Sequence, residues 1–253
     1  MTDLSINLNK IALLRNSRVT RIPDVVTHAH MCIAAGADGV TVHPRPDQRH
    51  IRAQDCIDLK EALTVELNIE GNPFTTETIS DRADVGDYPG FMALIHRVLP
   101  AQVTLVPDSD AQLTSDHGFD VAQDARRLEP IIRRLKDLGC RVSLFMDPDP
   151  GSMQRVADLG ADRIELYTER YARAHEAGDF IDVLSAYQET AAAAINVGLG
   201  VNAGHDLNLM NLPDFQIPTL AEVSIGHAFT VDALQWGIAD TVARYQQALG
   251  KSL

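Results

Sequence analysis

The stretch AAGADGVTVH, residues 34–43, joins a helix end to a strand through a single stop signal. Before it, Val25, Val26, Ala29, Cys32 and Ile33 recur at helical spacing. Gly36 suits the left-handed position that ends a helix, and GVTVH is a short, β-branched run of strand length. The same joint returns in LGCRVSLF (138–145), LGADRIELY (159–167) and NVGLGVNA (196–203). Strand-sized runs occupy 4–9, 39–43, 65–70, 102–107, 141–146, 163–168, 200–204 and 222–227. Helical patterns fill the intervals, such as Ile131, Leu135 and Leu138, and the last run is followed by Val231, Leu234, Ile238, Val242 and Tyr245. Eight alternating units predict a closed parallel barrel of the α/β class, a (β/α)8 or TIM barrel, formed as a single domain over residues 1–253. A doubly wound open sheet usually has fewer strands and a Gly-rich first turn. The longest connections, 71–100 and 108–120, follow strand ends, where barrel enzymes carry their active-site loops.

Composition narrows the partners. With 35 acidic against 22 basic residues and a formal charge of -13, the chain lacks the basic footprint that nucleic acid or an anionic membrane requires. Cys32, Cys56 and Cys140 are far apart and show no CxxC spacing, which favours buried thiols over disulfides or zinc. The start of the chain is strand-like, and no apolar run approaches the ~20 residues that span a bilayer. A cytoplasmic protein is expected.

The strand ends are polar. By parity, Asn7 and Asn9 share a face, as do Thr41, His43 and Arg45, then Glu66, Asn68 and Glu70, then Glu165 and Tyr167. The seventh run ends in Asn202, Gly204 and His205, the eighth in Ser224, Gly226 and His227. Burying such groups is costly unless they are paired, so function is the better reason for their convergence at one end. His43, with Arg45 and His50 close behind, offers a proton carrier beside anion-binding donors; the plainer reading is a satisfied loop histidine. Glu70 in a semi-buried mouth could serve as a general base or could form a structural ion pair. His205 and His227 follow glycines that let backbone amides approach a ligand, and loops after the seventh and eighth strands often bind phosphate in this fold. The helix after Ala228 would add its N-terminus, although a simple tight turn explains each Gly as well. His28 and His30 fall mid-helix and carry no signal. GLGVNAG fails the dinucleotide pattern in spacing and placement, and neither a phosphate-binding GxxxxGK[ST] loop nor a GxSxG elbow occurs.

Several segments in order resemble the pyridoxine 5'-phosphate synthase family: NLNKIALLRNSR, GADGVTVHPRPDQRHI, LNIE, LVPD followed by LTSDHGFDV, VSLFMDPD, IELYT, VNAGHDLN and SIGHA. The resemblance spans nearly the whole chain. It implies a barrel with additional helices, assembled as a homo-oligomer, an octamer in the family. The implied reaction condenses 3-amino-2-oxopropyl phosphate with 1-deoxy-D-xylulose 5-phosphate into pyridoxine 5'-phosphate, phosphate and water, a transferase-class ring closure with no cofactor and no metal. By position, His43 and Glu70 match the family's general acid/base residues and His205 its proton donor. Asn7, Arg18, Arg45, His50, Thr114, Gly226 and His227 match substrate-binding positions. Two anionic substrates would also account for Arg15, Arg18, Arg45, Arg49 and His50 gathering around the first two strands of an acidic protein.

The chain departs from the family at Asn9-Lys10, where Asp-His is common, and at Asp206, where Gly commonly follows the proton donor. Placed at the mouth, Asn9, Lys10 and Asp206 become substrate-binding candidates themselves. The segment between Glu70 and Pro107 is longer than in the family. Another phosphosugar lyase, epimerase or aldolase on the same scaffold is the alternative, since fold does not fix function. A non-catalytic barrel is a further one, for which loss of the acid/base set would be expected.

Overall fold

The computed structural model describes residues 1–109, 112 and 114–251; Leu113, which opens the LTSDHGFDV motif, lies outside the described residues with 110, 111, 252 and 253. In chain order the strands are β1 (Asp3–Asn7), β2 (Gly39–Val42), β3 (Glu66–Gly71), the short β4 (Glu77–Thr78) and β5 (Tyr88–Pro89), then β6 (Gln102–Leu105), β7 (Arg141–Met146), β8 (Arg163–Tyr167), β9 (Gly200–Gly204) and β10 (Leu220–Ile225). Eight of them close a barrel in the order β1-β10-β9-β8-β7-β6-β3-β2, every neighbouring pair parallel. β4 and β5 form a separate antiparallel hairpin in the long connection after β3. The helices around the barrel are α1 (Asn9–Asn16), α2 (Val25–Ala34), α3 (Ala53–Ala62), α4 (Phe91–Val98), α5 (Val121–Asp137), α6 (Met153–Asp158), α7 (Glu169–Ala177), α8 (Ile181–Asn196), α9 (His227–Trp236) and α10 (Ile238–Ala248). Gly36, Gly139, Gly160 and Gly198 all hold positive φ where α2, α5, α6 and α8 stop, as the repeated joint predicts.

Strand alternation sorts the chain into two interiors. Leu4, Ile6, Val40, Val42, Leu144, Ile164, Leu166 and Val201 are fully buried in the hydrophobic core, each such side chain stabilising the fold by about 1.5–3 kcal/mol. The alternate residues are polar and meet one another within the barrel. Ser5 and Thr41 hydroxyls lie 2.7 Å apart, Thr104 donates to Asn68 Oδ1 at 3.1 Å, and Thr104 Oγ1 is 3.3 Å from Glu165 Oε2. Nearer the strand starts, Arg141 Nε donates to Gln102 Oε1 at 2.8 Å and Arg163 to Asn202 Oδ1 at 2.9 Å, beside Glu222. Branched aliphatics usually fill such barrels. Here most of the buried polar groups satisfy one another, Ser143 Oγ being without a hydrogen-bond partner, so the polarity read at the strand ends continues down the axis.

Three differences from the sequence expectation bear on the mouth of the barrel. β1 ends at Asn7, and Asn9 is the first residue of α1, so the two asparagines do not share a strand face. The last strand ends at Ile225; Gly226 caps α9 and His227 opens it. No α-helix lies between β9 and β10, only a 3-10 turn over Leu212–Asp214. There Asn208 Oδ1 accepts from the backbone of Met210 and Asn211, and Pro213 and Pro218 keep the connection from continuing as a helix. Cys32, Cys56 and Cys140 are buried free thiols.

Candidate active site

His43 leaves the end of β2 and is held from both the backbone and the ring. Its backbone N–H donates to Asn9 Oδ1 at 2.9 Å. Its ring is flanked by two carboxylates, Nδ1 lying 3.8 Å from Glu70 Oε2 at the end of β3 and Nε2 lying 3.8 Å from Asp108 Oδ2 just after β6. These spacings exceed a direct hydrogen bond and suit transfer through a small intervening atom. Glu70 is oriented further by Asn7, whose Nδ2 approaches Oε2 at 3.5 Å.

Burial sets the charges. It holds His43 well below the ordinary histidine range, with Arg45, His50 and Arg49 adding to the shift. Burial drives Glu70 well above the carboxylate range, and the neighbouring charges of Glu165, Asp108 and Glu222 push the same way. Both shifts favour the uncharged form of each group. Asp108 is also raised by burial, while Arg45 opposes the shift. Its Oδ2 accepts from Arg45 Nη2 and, at 2.9 Å, from Ser115 Oγ, whereas buried Oδ1 has no protein hydrogen-bond partner. A cavity of about 10 Å³, room for one water, opens among His43, Arg45, Asn72, Thr75 and Asp108.

The loop after β2 brings its basic residues to the same place. Arg45 Nη1 donates to Gln112 O at 2.9 Å and Arg49 Nη1 to the same carbonyl at 3.1 Å, tying this loop to the 108–120 loop. The His50 ring sits edge-on to His43 at 6.4 Å. Burial and the charges of Arg45 and Arg49 push His50 down to about 3. Its Nδ1 accepts the N–H of Ile51 at 2.9 Å, which leaves Nε2 as a neutral donor.

Across the mouth, His205 follows β9 in a left-handed conformation with φ 90°, and Asp206 follows with φ 58°. The imidazole packs edge-on against Tyr167 at 4.9 Å. Nδ1 lies 3.1 Å from Asp206 Oδ2 and Nε2 lies 3.0 Å from Thr114 Oγ1. The Asp206 carboxyl is held below its ordinary range chiefly by the hydrogen bond with His205. Asp206 thus fixes the Nδ1–H tautomer and leaves Nε2 to face Thr114. Gly226 is pressed against Asn7, whose Cβ would lie 3.2 Å from any Cβ added there, and His227 is exposed at the start of α9.

The two arginines of the α1 region fall in different settings. Arg15 is buried in a bidentate pair with Asp55, at 2.5 and 2.9 Å, and supports the fold instead of facing the mouth. Arg18 is exposed on the turn after α1. Lys10 is half-buried on the first turn of α1, and Thr114 is exposed on the 108–120 loop. Sequence reading gave no role to Asp108, although a carboxylate closing LVPD at a strand end was the available signal. Glu165 was seen only as a polar face. Its carboxylate lies under Gly204, where an added Cβ would collide with Oε1, and burial followed by the charge of Glu222 raises its pKa. Among the described residues, no group of three or more His, Cys, Asp or Glu side chains could hold a metal ion, and no helix is long and apolar enough to cross a membrane.

A buried histidine between two carboxylates, beside arginines at the C-terminal mouth of a parallel barrel, marks the class: a (β/α)8 enzyme. The chain belongs to the family of the pyridoxal phosphate biosynthesis protein PdxJ, whose model matches residues 4–251. It is 54% identical over 254 residues to a pyridoxine 5'-phosphate synthase of Xanthomonas axonopodis pv. citri, covering 98% of this chain and 96% of that one. A pyridoxine 5'-phosphate synthase of Xylella fastidiosa is 53% identical, with 98% and 95% covered. Among solved structures, the tryptophan synthase alpha chain of Legionella pneumophila superposes with a TM-score of 0.63 at 11% identity, covering 99% of this chain and 91% of that one. The 3-keto-L-gulonate-6-phosphate decarboxylase of Vibrio cholerae gives a TM-score of 0.63 at 12% identity, with 98% and 97% covered. These two likenesses concern the barrel alone.

Proposed function

We propose that the chain is a pyridoxine 5'-phosphate synthase, a transferase-class enzyme that condenses 3-amino-2-oxopropyl phosphate with 1-deoxy-D-xylulose 5-phosphate. The observation that carries the reading is His43 held 3.8 Å from a carboxylate on each side. Family membership and relatives more than half identical over their whole length support the choice of reaction. The chemistry needs an amine to add to a ketone with loss of water, protons to move at adjacent carbons, phosphate to leave and an aldol-type closure to make the ring. Neutral His43 takes protons, protonated Glu70 returns them to departing oxygen, and His205 donates from the opposite side of the mouth. Burial pushes His43 and Glu70 toward their uncharged forms, the direction that the first step requires.

Arg45, His50 and Thr114 bind one phosphorylated substrate from the two tied loops, while the backbone amides of Gly226 and His227 at the start of α9 hold a phosphate by the helix N-terminus. Asn7, Lys10 and Arg18 complete the binding set. Asp206 acts through His205, as the carboxylate that fixes its tautomer. On the family resemblance, residues 1–253 form one barrel domain that assembles as a homo-octamer in the cytoplasm, the oligomer being tested by light scattering on the eluted protein. Incubating the protein with both substrates and following pyridoxine 5'-phosphate by mass spectrometry tests the reaction. No product from well-folded protein overturns it. Crystals soaked in phosphate test the α9 site: density at Gly226 and His227 is expected, and an anion seen only at Arg45 and His50 removes that site.

A further inference from the structure

The connection between β3 and α4 carries the β4–β5 hairpin. We propose that this hairpin is a clamp that positions the anion-binding loop 44–52, with Gln48 and Arg82 as its positioning residues. Gln48 is the hub. It is 2% exposed and holds φ 49°, a left-handed conformation that a residue with a side chain keeps only where its surroundings enforce it. Its Nε2 donates to Gly86 O at 2.7 Å, and its carbonyl accepts from Arg82 Nη2 at 2.6 Å, both from the hairpin turn. Its Oε1 accepts the N–H of Ala53 at 2.9 Å, so the same side chain also ties the turn to the head of α3. At the far end of the loop, Arg52 Nη2 lies 3.1 Å from Asp84 Oδ2.

The hairpin has its own anchors. Tyr88 is fully buried and Val85 nearly so, while the Ser80 N–H donates to Asp87 Oδ1 at 2.9 Å and closes the turn. On its other flank the loop is held by α1, where Arg15 Nη2 and Asn16 Nδ2 donate to His50 O at 3.0 and 2.7 Å. Between these holds lie Arg45, Arg49 and His50, the groups aimed at the mouth. Loosening one flank leaves the acid/base residues on β2 and β3 in place and raises the cost of ordering the binding loop. Affinity is then lost, not the chemical step.

The inference rests on loop 44–52 being the substrate-phosphate loop, and one of its readouts is independent of that. In the full-length protein, Arg82→Ala should speed amide exchange of residues 47–52 by about five- to tenfold, the scale of one or two lost hydrogen bonds, with β7 unchanged. KM for the phosphorylated substrates should rise by about the same factor with kcat within about twofold, and Arg82→Lys should recover most of it. Gln48→Leu should act more strongly; if it fails to fold, Arg82→Ala on the half-buried turn decides. Unchanged exchange at 47–52 in Arg82→Ala overturns the clamp, as does a fall in kcat at constant KM. If no pyridoxine 5'-phosphate is formed by the natural protein, the proposed reaction fails while the exchange measurement still judges the clamp.

Discussion

Asn9 Oδ1 accepts the backbone N–H of His43 at 2.9 Å, while Asn9's own N–H donates to Asn7 Oδ1 at 3.0 Å. The first turn of α1 thereby sets the height of His43 at the end of β2. An Asp at position 9 offers the same acceptor, which explains how the chain tolerates Asn where the family commonly has Asp. Asn9→Ala leaves a partly buried donor unpaired, a loss of about 1–3 kcal/mol, and should lower both the melting temperature and kcat. Asn9→Asp should keep kcat within about threefold. Equal kinetics for Asn9→Ala and the natural protein would show that the contact does not position His43.

His43→Ala and Glu70→Gln should each lower kcat by about 10²-fold or more, the usual scale of general acid/base contributions. Glu70→Gln preserves the size and neutrality of the buried acid, so its melting temperature should stay close to that of the natural protein. Variants that raise KM with kcat intact would reassign both residues to binding.

Gly204 has no room for a methyl group, because a Cβ there would collide with Glu165 Oε1 and pack 3.5 Å from Ser224 Cβ. Gly204→Ala should displace the Glu165 carboxylate and, through Thr104 and Asn68, the floor beneath Glu70. Misplacement on the ångström scale costs up to about 10²-fold in rate, so kcat is the quantity to measure. An active Gly204→Ala enzyme whose crystal structure keeps Glu165 in place would count against a functional role for this packing.

Burial pushes Glu222 up to about 7 although Arg163 and Arg141 oppose the shift, from an ordinary value of 4.5. The folded state therefore binds this proton more tightly than the unfolded chain. Its contribution is fully present below pH 4.5 and is lost as pH rises through about 7. Glu222→Gln, a neutral isostere, should be more stable than the natural protein at pH 8, by at most about 3 kcal/mol, with the difference shrinking toward pH 4.5. Denaturant midpoints at the two pH values measure it, and a gap that widens on acidification would reverse the assignment.

The barrel was legible because its signals are local. The Gly36, Gly139, Gly160 and Gly198 stops and the alternating apolar runs report backbone conformation and burial within a few residues of themselves. The placement of His43, Glu70 and His205 at the mouth was legible for a related reason, since a polar group ending a parallel strand has only the mouth to face. What the chain order concealed were relations across the barrel. Arg15 looked like an anion ligand until Asp55, forty positions away, claimed its guanidinium. Asp108 closes LVPD with nothing in the chain order to name its partners, yet closure of the barrel sets it against His43 and Arg45. The hairpin read as mere added length until Gly86 and Arg82 met Gln48. Periodicity and stop residues act through short-range sterics and solvent and can be read along the chain. Partner choice and the direction of each buried charge depend on distances that exist only once the eight strands have closed.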